Sequence, residues 1–325
     1  MLWVEREADQ LLVSSHDDQT FNVYAVADRA DEENQNRLRT VETFRENGGT
    51  IYEMDVMSYK ESHILLTTCK DQPVHLRRIG ADGTTTLLAQ QLVCRNNVEE
   101  VISPITMKAL PNSTYVATGH MKGLLRLFDI EKPSTEAFTC ELKHAGRRIK
   151  IPISTITQLA CDGNALALGC YAGDHLYFHD RRALNKQAPS AMELMSSSGV
   201  SCVKSKGNLL VVGCRKRDPV YVYDIRKRSQ PVLSIQFSRG DSNEYTNQRF
   251  YFDVSKQGVL YTGNPSGHVL AYDLSSQECT AYFAGHFNCI PAVSYNNAGG
   301  ILATASGSRT FETESHDSSS SETEM

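Results

Sequence analysis

The chain has 325 residues, of which 22% are charged and 40% hydrophobic, and carries a formal net charge of -5. No global basic excess announces a nucleic-acid binder. No apolar run approaches the roughly 18 residues of a membrane helix, and charge at Glu5, Arg6 and Glu7 comes too early for a secretory signal, so no membrane partner is expected. Charge is nevertheless segregated: residues 143–249 hold 17 Lys plus Arg against 8 Asp plus Glu, and the remainder holds 16 against 30. The nine cysteines are odd in number and include no C-x-x-C pair, which predicts reduced core thiols and neither a disulfide frame nor a zinc site.

Taken in order, Leu11, Leu12 and Val13, a turn over Ser14 to Gln19, and Phe21 to Ala25 form a first strand–turn–strand unit, with Ser15 at the turn. Asp28 to Arg37 is a polar loop, and Thr40 to Phe44 resumes the alternation of an outer strand. Ile64 to Arg77 is a second copy with Thr68 at its turn, and Pro73 predicts an irregular third strand there. Four fuller copies follow. Tyr115 to Asp129 reads YVATGHMKGLLRLFD, Ala165 to Asp180 reads ALALGCYAGDHLYFHD, Leu209 to Asp224 reads LLVVGCRKRDPVYVYD, and Val259 to Asp273 completes the set. Their turn glycines Gly119, Gly169, Gly213 and Gly263 are 50, 44 and 50 residues apart, near the roughly 40 to 45 of a four-stranded propeller blade. Ile301 to Phe311 is a seventh copy that stops early.

Seven copies predict an all-β, seven-bladed WD40-type β-propeller over residues 1–311 with an incomplete seventh blade, followed by an acidic, Ser-rich disordered tail over 312–325. The small turn residues are expected to let the backbone turn tightly where blades crowd the central channel. Asp129, Asp180, Asp224 and Asp273 close the third strands in the place of the Asp of a Trp-Asp signature, and with His286 they are expected to be hydrogen-bonding groups within the blades. Ser319 and Ser321 each have an acidic residue three positions on, as acidophilic kinase sites do. No G-x-x-x-x-G-K, G-x-S-x-G or H-E-x-x-H frame is present, and His120, His175 and His179 lack ligand spacing. The expectation is a non-enzyme with no metal and no cofactor.

Propeller topology collects the loops between second and third strands, and those between blades, on one face. That places Arg215, Lys216, Arg217 and Arg309 beside Arg147, Arg148, Lys150, Asn247 and Arg249, an arrangement suited to RNA phosphates. Tyr245 and Phe250 are candidate rings for unstacked bases, or else core residues. Two roles fit Arg249, a phosphate contact and a bridge between blades. Arg226, Lys227 and Arg228 should open on the opposite face.

Five strings carry a more specific likeness: TIYEMDVMSY (Thr50 to Tyr59), ALGCYAGDHLYFHD (Ala167 to Asp180), GCRKRDPVYVYDIR (Gly213 to Arg226), TNQRFYFD (Thr246 to Asp253) and LATASGSRTF (Leu302 to Phe311). In this order they resemble the telomerase Cajal body protein 1 family. The resemblance implies a propeller that binds small guide RNAs (small Cajal body RNAs, and telomerase RNA in animals) and directs ribonucleoproteins to nuclear Cajal bodies, with a cytoplasmic folding pool. It would act as a monomer within a larger assembly of ribonucleoprotein subunits. A protein scaffold for small nuclear ribonucleoprotein assembly or splicing is the alternative. The family also has a strand before blade one and a last apolar strand after its acidic insertion. Here Met1 to Val4 already read as the first strand, so an outer pair for blade seven is not evident.

Overall fold

The computed structural model describes residues 1–4, 10–15, 18–26, 38–96, 98–133, 135–182, 189–215, 220–236 and 249–307. Six four-stranded antiparallel sheets follow one another along the chain, each with its strands in sequential order from the inner to the outer edge. Blade one is Leu2–Val4, Gln10–Ser14, Phe21–Val26 and Leu38–Phe44; blade two is Ile51–Tyr59, Ser62–Cys69, Val74–Ile79 and Thr85–Leu92. Blade three is Thr106–Ala109, Tyr115–Gly119, Leu124–Asp129 and Glu136–Glu141; blade four is Ile153–Gln158, Ala165–Cys170, His175–Asp180 and Ser190–Glu193. Blade five is Val200–Lys206, Leu209–Cys214, Val220–Asp224 and Leu233–Ile235; blade six is Asp253–Val254, Val259–Gly263, His268–Asp273 and Glu278–Ala284. Among the described residues the seventh position holds two strands, Ala292–Asn296 and Ile301–Ala305. The chain is an all-β WD40-type propeller; the described residues give six complete blades and a two-stranded sheet at the seventh position, against the seven blades with an incomplete seventh that the repeat copies predict. Residues 308–325, which include the tail with Ser319 and Ser321, lie outside the described residues.

Apolar side chains pack in layers between blades. One layer joins blades one and two (Leu12, Val23, Ile51, Leu65), and the next joins two and three (Leu66, Leu76, Met107, Val116, Phe128). The series continues through blades three and four, four and five, and five and six to a smaller layer of Val269, Ile290 and Val293 between six and seven. A middle strand has a neighbouring blade on each side, which explains unbroken apolar runs such as Leu210, Val211 and Val212, all fully buried. The junction of the seventh sheet with blade one is different. It is bridged by the indole of Trp3, the single tryptophan, whose Nε1 donates to Ser294 O at 3.0 Å.

The turn glycines are required by close approach rather than by backbone twist, since none of the four has a positive φ. A Cβ on Gly169 would lie 2.7 Å from Thr155 Cγ2 and 2.7 Å from Val200 Cβ, so blade four's own inner strand and the entry of blade five both press on it. Gly119 meets Thr106 and Ile153 in the same way, and Gly263 meets Ile290. Pro73 does not make the third strand of blade two irregular. It stands just before Val74, the first residue of a six-residue strand, so the missing N–H falls outside the ladder. The closing aspartates form turns between third and fourth strands: Oδ1 of Asp129, Asp180, Asp224 and Asp273 accepts the backbone N–H two residues on, at 3.1, 2.8, 2.9 and 2.7 Å. Gly169→Ala should destabilise the fold by about 1–3 kcal/mol through overpacking, read as a lower urea midpoint with an unchanged slope.

Candidate nucleic-acid interface

The face predicted to gather cations is built by the blade crossings. The crossing from blade three to blade four carries a two-stranded hairpin, Lys143–His144 against Arg147–Arg148, and is tied down where Leu142 N donates to Gly123 O and Tyr171 N donates to Pro152 O. Arg147, Arg148 and Lys150 are exposed; Arg148 Nε reaches Glu141 Oε2 at 2.9 Å. The turn between the second and third strands of blade five begins at Arg215, whose N–H donates to Gly199 O in the crossing from blade four to blade five. Turns and crossings therefore do converge at one end of the ring. Lys216, Arg217, Tyr245, Asn247 and Arg309 lie outside the described residues.

Two predicted cations of this face are held by the protein itself. Arg215 stacks its guanidinium 4.7 Å above the Tyr171 ring and donates from Nη1 to Tyr171 O at 2.9 Å. Arg249 points into the channel, where Nη2 donates to Ser154 O at 2.6 Å and Ser201 O at 3.2 Å, carbonyls on the inner strands of blades four and five. Its guanidinium also lies 5.2 Å from the Tyr251 ring and 5.7 Å from the Tyr171 ring. Here Arg249 bridges two blades, through carbonyls and not through an aspartate. Phe250 is half-buried, and the ring that meets Arg249 belongs to its neighbour Tyr251. On the opposite face Arg226 forks onto Asp224, and Arg228 lies 4.4 Å above the Phe178 ring. His286 Nε2 is 2.8 Å from Thr304 Oγ1 in the seventh sheet.

Sequence reasoning missed the charged lining of the channel. Asp55 accepts its neighbour Val56 N–H at 3.0 Å on Oδ1, and on Oδ2 the Ala109 N–H at 2.8 Å and Lys108 Nζ at 2.7 Å, both from blade three. Asp253 repeats the device: Oδ1 accepts Val254 N–H at 3.0 Å and pairs with Lys204 Nζ at 3.2 Å, while Oδ2 accepts Tyr295 N–H at 3.0 Å from the seventh sheet. The signal was the Asp-Val pair shared by Asp55–Val56 in TIYEMDVMSY and by Asp253, which ends TNQRFYFD, with Val254 after it. Glu53, two residues before Asp55, accepts Met107 N–H at 3.2 Å. Burial pushes the Glu53 carboxyl above the ordinary range, and the Arg249 charge works against that rise. Burial alone would lower the guanidinium of Arg249, yet the Tyr251 phenol and Glu53 outweigh it and hold the group charged.

Against known proteins, the chain is similar to the Telomerase Cajal body protein 1 homolog of Drosophila melanogaster, with 26% identity over 279 residues. The match covers 82% of this chain and 48% of the fly protein. The resemblance to the telomerase Cajal body protein 1 family holds. The chain spans about half the length of the curated relative it matches. No protein-family model matches the chain.

The channel arrangement makes a pH-resolved prediction. Arg249→Met leaves two carbonyls without their donor and the Glu53 carboxylate without its cation, a loss of about 3 kcal/mol at neutral pH. A carboxyl whose folded pKa is raised binds more protons folded than unfolded between those two pKa values, so its burden on stability fades as pH falls through the folded value. Removing Arg249 raises that value further. Urea unfolding should therefore show the deficit of Arg249→Met narrowing from pH 7 to pH 5, and Glu53→Gln in the same background should restore part of it at pH 7.

Proposed function

We propose that this propeller is a non-catalytic carrier of small guide RNAs that directs ribonucleoproteins to nuclear Cajal bodies, and that its RNA face is the one bearing Arg147, Arg148 and Lys150. The reading is carried by the match over 82% of the chain to a protein whose name places it with Cajal bodies and telomerase. The structure supports it with a cluster of exposed cations on a chain of net negative charge, where the neighbouring cations Arg215 and Arg249 brace the scaffold beneath. Phosphates supply most of the affinity of such interfaces, so cations exposed at a rigid edge are what the task needs. Telomerase RNA belongs to the same class of client.

A separate observation favours a second role as a protein scaffold. Ile301–Ala305 pairs with Ala292–Asn296 on one side and with no described strand on the other, and nearby Tyr282, Phe283 and Phe287 are exposed. An open strand edge beside exposed rings suits pairing with a ribonucleoprotein subunit.

The test of the first role is the triple variant Arg147→Glu/Arg148→Glu/Lys150→Glu, tagged and crosslinked to RNA in cells. Its circular dichroism should match the parent, while recovery of small RNAs falls about tenfold or more. Equal recovery by the variant would overturn the assignment of this face. Recovery of ribonucleoprotein subunits after nuclease treatment, without RNA in the parent, would select the scaffold.

A further inference from the structure

The hairpin that carries Arg147 and Arg148 also brings a pair of imidazoles together. Its turn residues Ala145 and Gly146 have φ of 47° and 76°, a tight reversal that sets His144 directly opposite Arg147. The exposed His144 ring lies 4.2 Å from the ring of His175, tilted by 50°. His175 opens the third strand of blade four, and its Nδ1 is held by the carboxylate of the adjacent Asp174. The Asp174 backbone is itself anchored, since its carbonyl accepts Leu194 N–H at 2.6 Å. Tyr177 backs the pair, with its ring 6.2 Å from each imidazole and only 27° from parallel with that of His175.

Three features separate this pair from packing. The outer ring is exposed, whereas rings that only fill a core are covered. The inner ring is oriented from behind by a carboxylate and a buried tyrosine, which costs its freedom without burying it. The hairpin sets Arg147 directly across from His144, with Lys143 and Arg148 as the next pair along it. A metal centre is a poor account of them, since among the described residues no group of three His, Cys, Asp or Glu is placed to hold an ion.

We propose that His144 and His175 form a stacking platform for one unpaired nucleobase of the bound RNA, with Lys143, Arg147 and Arg148 taking the flanking phosphates. The proposal deepens the RNA reading and rests on it. Base stacking needs an exposed, held π-face and tolerates any base, and cations beside it register the backbone.

The experiment uses the full chain and a fluorescein-labelled hairpin RNA with a randomised single-stranded loop, followed by anisotropy over a range of salt. His144→Ala and His175→Ala should each weaken binding about tenfold, in keeping with the loss of one stacked base. His144→Phe should bind within about twofold of the parent. None of the three should alter the salt slope, whereas Arg147→Ala should reduce it by about 0.7. If His144→Ala binds as the parent does while the charge-reversed triple variant does not bind, the RNA reading stands and the platform falls. If His144→Phe is as weak as His144→Ala, the contact is not stacking and the platform also falls. A parent that binds no RNA overturns the RNA reading, and the platform with it.

Discussion

Each blade of this ring has two apolar faces, and a different neighbour must cover each one. A single blade would leave Leu210, Val211 and Val212 half in water, because alternate side chains of that strand pack toward blade four and toward blade six. The fold is therefore stable only as a closed series, and the constraint works down to single atoms. The blades come close enough at the channel end that Gly169 has no room for a methyl group. The same crowding brings the inner-strand backbone of one blade within reach of side chains from the next. That is why Asp55 and Asp253 end on N–H groups of the following sheet.

Crowding of this kind also explains the polarity of the channel. Inner strands pair on one edge only, so their other edge presents backbone groups that need partners away from bulk water. Arg249 answers for two carbonyls, Glu53 for one N–H, and Asp55 and Asp253 for one each across a blade boundary. Lys108 and Lys204 then balance the aspartates. The lining is thus neutralised largely within itself. Arg147 and Arg148, by contrast, are exposed on the hairpin that crosses from blade three to blade four.

The repeat was legible because it has a local chemical cause in each copy. Small residues recur where blades touch, and Asp recurs where a third strand turns back, so a count of spacings recovers the blades. Which loops share an end of the ring was legible for a topological reason, since strand order alone decides it. What could not be read was whether a given cation is exposed. Arg147 and Arg249 look alike as loop arginines, yet one is exposed and the other meets carbonyls 95 and 48 residues away in sequence. The imidazole pair was hidden likewise, because His144 sits on a hairpin between blades and His175 opens a blade strand, and no spacing rule links them. Pro73 misled through a shift of one residue: inside the strand it would have broken the ladder, and just before it the cost vanishes.

Among the described residues, the seventh position is where the ring constraint is met least fully. Two strands supply the inner faces that blades six and one need: Val293 N–H donates to Tyr251 O at 3.0 Å, Tyr261 stacks on Tyr295 at 4.8 Å, and Trp3 reaches Ser294. These contacts close the channel side of the ring. Toward the outside the apolar layer shared with blade six shrinks to a few described residues, and Phe283 and Phe287 are exposed. Among the described residues, closure is therefore achieved where the strands are innermost. A second chain that added strands at Ile301–Ala305 would extend a layer already begun, and would do so without disturbing the rim that carries Arg147 and His144. The two proposed roles use different parts of the ring, so an RNA and a protein partner could be held at the same time.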